Sequence, residues 1–207
     1  MNYTELKANI QNFLEDDSTE LSDSLDVIIE QGEAMIFKRA PNLPCYRSSS
    51  TGSLVVGQTN YTIATARMIR QVSITSSSDT VYLNHRVDSY LNDYWKNSTT
   101  QAQPEMYSTQ SASTTGTIIK LAPTPDSTYA YAVDYIAPET GLSSANTTTW
   151  VGNNASNSLL NACLSEASAF LKAPETLSLY QKQFEEAIAL LQEEMKRDYA
   201  AEYNGGI

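Results

Sequence analysis

Histidine is nearly missing from this 207-residue chain, which holds only His85. A His-rich metal site is excluded by that count, because such sites draw on several imidazoles. Cysteine is scarce as well. Cys45 and Cys163 lie far apart, and the opening MNYTELKANIQ has no apolar signal core. Both thiols are therefore expected reduced, not paired. Basic residues are few, 13 Lys and Arg against 24 Asp and Glu, for a net charge of −11. Tight nucleic-acid binding needs cations to neutralise phosphates and is not expected. No apolar run approaches the ~20 residues that cross a bilayer. The chain contains no G-x-S-x-G, Walker A or dinucleotide-type glycine pattern.

What is present is a polar but weakly charged chain. Hydrophobic residues make up 41% and charged residues 18%, with Ser, Thr, Asn and Gln dominating the rest. A compact fold of this size buries roughly 70% of its unfolded surface, so no metal or disulfide is needed to hold it.

Periodicity divides the chain into three parts. Tyr3, Leu6, Ile10, Phe13 and Leu14 recur at helical spacing, predicting a helix over 3–15. Leu25, Ile28, Ile29, Gly32, Met35 and Ile36 predict a second over 23–39, capped by Ser22 or Asp23 and closed by Pro41 and Pro44. Gly32 inside that stripe suits a close helix–helix approach. From about 45 to 140 the period shortens. GSLVVGQTNYTI reads as two short strands, RQVSIT and TVYLN as a hairpin around SSSD, and 86–95 as a short helical insert. EMYSTQ, TGTIIKLAP and STYAYAVDYIAP are further strands. In the last, Tyr129, Tyr131, Val133 and Tyr135 face one way and Ala130, Ala132, Asp134 and Ile136 the other, the alternation of an antiparallel sheet. Helices return over 155–172 and 174–200, the first capped by Asn153 or Asn154, and AEYNGGI reads as a flexible tail. The expected fold is α+β: a bundle of two N-terminal and two C-terminal helices with a central antiparallel β insertion. Its parts are 1–44, 45–140 and 141–207.

The residues offer no catalytic set, cofactor site or metal site. His85 reads as a turn or surface residue, and Cys163, among apolar helical neighbours, as a small core residue. The adjacent carboxylates Asp16/Asp17 and Glu185/Glu186 point apart on a helix and read as solvated. The 13 tyrosines are a different matter. Tyr129, Tyr131 and Tyr135 fit a sheet core, a subunit interface or a stacking platform for carbohydrate. Trp150, at the mouth of the Thr-rich loop TTTW, reads as an anchor for the chain as it re-enters the helices.

The order of these pieces resembles the head-to-tail adaptor (connector) proteins of tailed bacteriophages. The likeness is carried by YTELKANIQNFLEDD, by LDVIIEQGEAMIFKRAPNLPCYR, by LAPTPDSTYAYAVDYIAPETGLS with its Pro-Thr-Pro turn, and by TTWVGNNASNSLLNACLSEASAFLKAPE. The resemblance implies a non-enzymatic ring, usually a dodecamer, in the virion neck or tail and assembled in the host cytoplasm. One end docks on the portal protein, the other meets the tail nozzle or tube protein or tail fibres, and DNA passes through the lumen without specific binding. No membrane is involved. Interface candidates are Tyr129, Tyr131, Tyr135, Trp150 and the tail from Tyr203 to Ile207, which would reach the portal. The alternative is a carbohydrate- or protein-binding module of a virion, for tail-fibre attachment or host-surface contact.

Overall fold

The computed structural model describes residues 1–112 and 115–204, with 198–204 by backbone alone. The chain is α+β and divides into two compact units. One comprises Met1–Tyr46 with Pro138–Ile207, the other Arg47–Ala137.

The first unit is helical. Helix α1 (Tyr3–Leu14) opens on a capping box. The Asn2 side chain accepts the Glu5 N–H at 2.9 Å, and the Glu5 carboxylate accepts the Asn2 N–H at 2.9 Å. Helix α2 (Thr19–Arg39) starts earlier than its sequence predicts. Ser18, not Ser22 or Asp23, accepts the Leu21 N–H, because Leu21 already belongs to the buried stripe that continues through Leu25 and Ile29. Helices α4 (Trp150–Asn154), α5 (Ser156–Phe170) and α6 (Pro174–Asn204) complete the unit. Helix α6 runs on through Asn204, so the first four residues of the expected flexible tail are helical. Tyr203 lies on this helix with its side chain outside the described residues, and Ile207 lies outside them altogether.

Helix α5 is the centre of this unit. It packs against α1, α2 and α6, and nine of its 15 residues are buried. A helix enclosed on several sides needs small residues where neighbours come close. Ser158, Ala162, Cys163, Ser165, Ala167 and Ser168 supply them. Gly32 of α2 is the nearest point: a Cβ placed on it would stand 2.7 Å from Cys163 Sγ. The expected close approach at Gly32 is therefore real, and Cys163 is its partner, fully buried in the core.

The second unit holds two four-stranded sheets, in the orders β1-β8-β3-β4 and β2-β7-β6-β5. The strands are β1 (Arg47–Ser53), β2 (Asn60–Ile63), β3 (Met68–Ser76), β4 (Asp79–Tyr82), β5 (Asn84–His85), β6 (Met106–Ser111), β7 (Thr117–Ala122) and β8 (Ala130–Ile136). Val72, Ile74 and Val133 from one sheet and Ile63, Tyr107, Ile119 and Leu121 from the other share a single buried core with Leu54, Ala66 and Leu83. The pairing is antiparallel except at β5–β6, which is parallel, so the insertion is mixed and not wholly antiparallel as expected. The parallel step arises because β5 and β6 are joined by α3 (Asp88–Tyr94) and a long connection, not by a hairpin. The segment GSLVVGQTNYTI does end one strand and begin another, but β1 and β2 lie in different sheets and do not pair with each other.

Candidate functional site

The loop that precedes α5 is tied down by carboxylates. Glu139 accepts the N–H groups of Trp150 at 3.1 Å and Val151 at 3.2 Å, and Thr149 Oγ1 accepts the Gly152 N–H at 3.0 Å. These close the first turn of α4, so the chain is already helical at Asn153 and Asn154, and neither caps α5. Asn154 instead donates back to the Trp150 carbonyl at 2.9 Å. Glu33 of α2 accepts the Leu142 N–H at 3.1 Å through both oxygens. Burial raises the Glu33 carboxyl above its usual range, opposed by that hydrogen bond and reinforced by Glu139. Trp150 is half-buried as the first residue of α4. Its backbone N–H makes the anchoring bond to Glu139.

Tyr131 and Tyr135 on β8, and Tyr129 just before it, all pack partly buried against the shared core. The Tyr131 ring lies over Gly52, its cross-strand partner on β1, and sits 5.8 Å from the Tyr61 ring. The Tyr129 hydroxyl donates to Asp126 at 2.7 Å, and Tyr135 accepts from Thr65 at 3.3 Å. The Asp126 carboxylate holds the Tyr129 phenol above its usual range.

The exposed aromatics of this unit lie elsewhere. Tyr82, Tyr90 and Tyr94 are 62%, 44% and 49% exposed. On α3 the Tyr90 and Tyr94 rings stack 6.1 Å apart, and the Arg86 guanidinium lies 5.8 Å from the Tyr90 centroid. A polar staple holds α3 on its sheet: Lys120 bonds Asp88 at 2.9 Å and Asn92 at 2.6 Å, and Ser108 donates to Asp88 at 3.2 Å. Lys120 holds the Asp88 carboxyl below its usual range. Aromatic pairs with an arginine are typical of protein interfaces. The sequence shows these tyrosines on a helical insert, but not that the insert turns them to solvent.

A second feature is a cleft of about 390 Å³ lined by Arg67 and Arg70, by His85 and Tyr107, and by the hydroxyls of Thr109 and Ser111. The His85 and Tyr107 rings pack at 5.1 Å. Among the described residues no carboxylate lines this cleft. Arg70 is the extra residue of a β-bulge: Ile69 pairs with Tyr135 and Gln71 with Asp134, leaving Arg70 unpaired between them. The spacing Ile69-x-x-Val72 requires this bulge, since strict alternation would bury Arg70 beside Val72.

Charge separates the two units. The helical unit carries eighteen acidic and seven basic side chains, the whole net −11, while the β unit carries six of each. Both thiols are unsuited to nucleophilic chemistry. Burial, helped by Glu139, pushes the Cys45 thiol up to about 12, and burial raises that of Cys163 as well.

The family model described as SU10 adaptor protein matches residues 1–205. The chain belongs to the SU10 adaptor protein family. It is a phage adaptor-type structural protein, a virion component that interacts with other phage structural proteins. No curated protein matches it. Among the described residues of this adaptor, no helix is long and apolar enough to cross a membrane.

Proposed function

We propose that this adaptor joins head to tail. Copies form a closed ring, usually of twelve, that docks on the portal protein at one end and receives the tail nozzle or tube protein at the other. The role is structural and not enzymatic. DNA passes through the lumen without being gripped.

The observation that carries this reading is the family match over residues 1–205. The surface is compatible with it. Phe13, Val27, Leu179 and Leu190 stand 57%, 58%, 51% and 67% exposed on the outer helices, and isolated copies leave that apolar surface in water. The −11 carried by the helical unit repels phosphates at close range, which suits a channel that must release DNA. Within this reading α1, α2, α5 and α6 form the ring body, and the segment Tyr203 to Ile207 reaches the portal.

Light scattering of the chain alone and mixed with portal rings tests the reading. A stable complex on the portal is expected, and removal of residues 200–207 is expected to abolish attachment while the fold survives. A chain that stays monomeric in both conditions sinks the proposal. The reading as a carbohydrate- or protein-binding module would rest on Tyr82, Tyr90 and Tyr94, because the β8 tyrosines pack against the core.

A further inference from the structure

We infer that the cleft lined by Arg67, Arg70 and His85 receives carboxylates from the corner between α1 and α2 of a second copy of this chain. This inference rests on the ring reading and names two surfaces that meet within the ring.

The cleft is cationic and unsatisfied. Among the described residues neither the Arg67 nor the Arg70 guanidinium makes a hydrogen bond or ion pair within the chain, although 24 carboxylates are available in the sequence. The bulge turns Arg70 outward at this place, and Thr109 and Ser111 add hydroxyl donors beside it. Guanidinium pairs recognise carboxylates through two parallel N–H donors, which gives geometric selectivity as well as attraction.

The matching acid is found on the other unit. Residues 8–37 contain eight acidic residues and no Lys or Arg. Several carboxylates elsewhere in the helical unit are engaged: Glu185 with Arg39, Glu186 with Lys182, Glu139 with two N–H groups. Within 8–37, Asp26 pairs with Lys7 and Glu33 bonds Leu142. Glu15, Asp17, Glu20 and Asp23 are exposed and make no side-chain hydrogen bond or ion pair among the described residues. Phe13, 57% exposed, stands at the same corner as an apolar contact. A ring is closed by heterologous contacts, in which two different patches of one chain face each other across every interface. An acidic corner and an unpaired arginine cleft are two such patches, present in equal numbers whatever the ring size.

Sedimentation velocity of the full chain, free and mixed with portal rings, tests the pairing with two charge-reversed variants. Arg67→Glu/Arg70→Glu and Asp17→Lys/Glu20→Lys are each expected to weaken self-association by about tenfold or more, because like charges then face each other. An equimolar mixture of the two restores it. Circular dichroism and thermal unfolding check the folds, and Arg70→Gln serves as a milder variant if the reversal unfolds the β unit. If both variants assemble as well as the wild type, this pairing is wrong while the ring reading stands. Loss in each variant without restoration in the mixture also overturns the pairing. Retained self-association with lost retention of a short DNA duplex makes the cleft a phosphate site and overturns it too. A wild-type chain that stays monomeric even on the portal removes both readings.

Discussion

Gly32 on α2 and Cys163 on α5 touch so closely that no side chain fits between the two helices. A Cβ on Gly32 would lie 2.7 Å from Cys163 Sγ and 3.1 Å from its backbone nitrogen. In a solvent-exposed helix, Gly→Ala gains about 1 kcal/mol of propensity. Here overpacking, at about 1–3 kcal/mol, outweighs it. Gly32→Ala is expected to lower stability in urea unfolding. Cys163→Ala removes the Sγ, so the double variant recovers part of the loss, with a coupling energy of about 0.5–3 kcal/mol. Additive effects would show that the helices separate freely.

Ser168 gives a prediction of opposite sign. It is fully buried in α5, and its hydroxyl has no hydrogen-bond partner among the described residues. An unsatisfied buried hydroxyl costs about 1–3 kcal/mol. Ser168→Ala removes it and improves helix propensity. Stability should rise by about 1 kcal/mol, read as a higher urea midpoint at unchanged slope. A fall would mean that the hydroxyl is satisfied in solution.

The β3–β4 hairpin turns through Ser77 and Ser78, at φ 50° and 75°. Two left-handed residues make the type I′ turn that suits strand twist, and Asn-Gly fills it at lowest cost. A non-glycine residue in that region costs roughly 1–2 kcal/mol. Ser77→Asn/Ser78→Gly is therefore expected to raise the melting temperature, measured by circular dichroism.

Cys45 links reactivity to pH. With its thiol pushed up to about 12, labelling by a thiol reagent at pH 8 should be slower than for a free cysteine by about a thousandfold. Unfolding in guanidinium restores normal rates for Cys45 and Cys163 alike. The same shift sets a slope in stability. The folded state holds the Cys45 proton to higher pH than the unfolded chain, so stability falls as pH rises from about 9 to 12. Cys45→Ala should flatten that fall. A thiol that labels at the free rate refutes the burial argument.

The amphipathic elements were legible before folding. Leu6 and Ile10 of α1, the stripe of α2 and the alternation of β8 each repeat at the period of the structure they form. Strand β1 was largely not legible. RSSSTGS has no apolar face, and it is a strand because β8 pairs with all seven of its residues and lays Tyr131 over Gly52. The start of α2 was misplaced because Ser18 and Ser22 are equally good caps in isolation, and only the burial of Leu21 separates them. The arginine cleft could not be read at all. Arg67, Arg70, His85 and Thr109 converge from separate segments, and no local pattern marks the convergence. One signal was available: Ile69-Arg-Gln-Val72 breaks the period of two, which marks a bulge.

Because α5 is enclosed by α1, α2 and α6 of its own chain, it has little surface left to answer to anyone else. Its nine buried residues are constrained by internal fit. Across relatives, substitutions along α5 should appear together with compensating ones on those three helices. Substitutions at the exposed Leu179 and Leu190 of α6 should instead follow changes in whichever protein covers them. One helix thus records the history of the fold, and the other the history of its assembly.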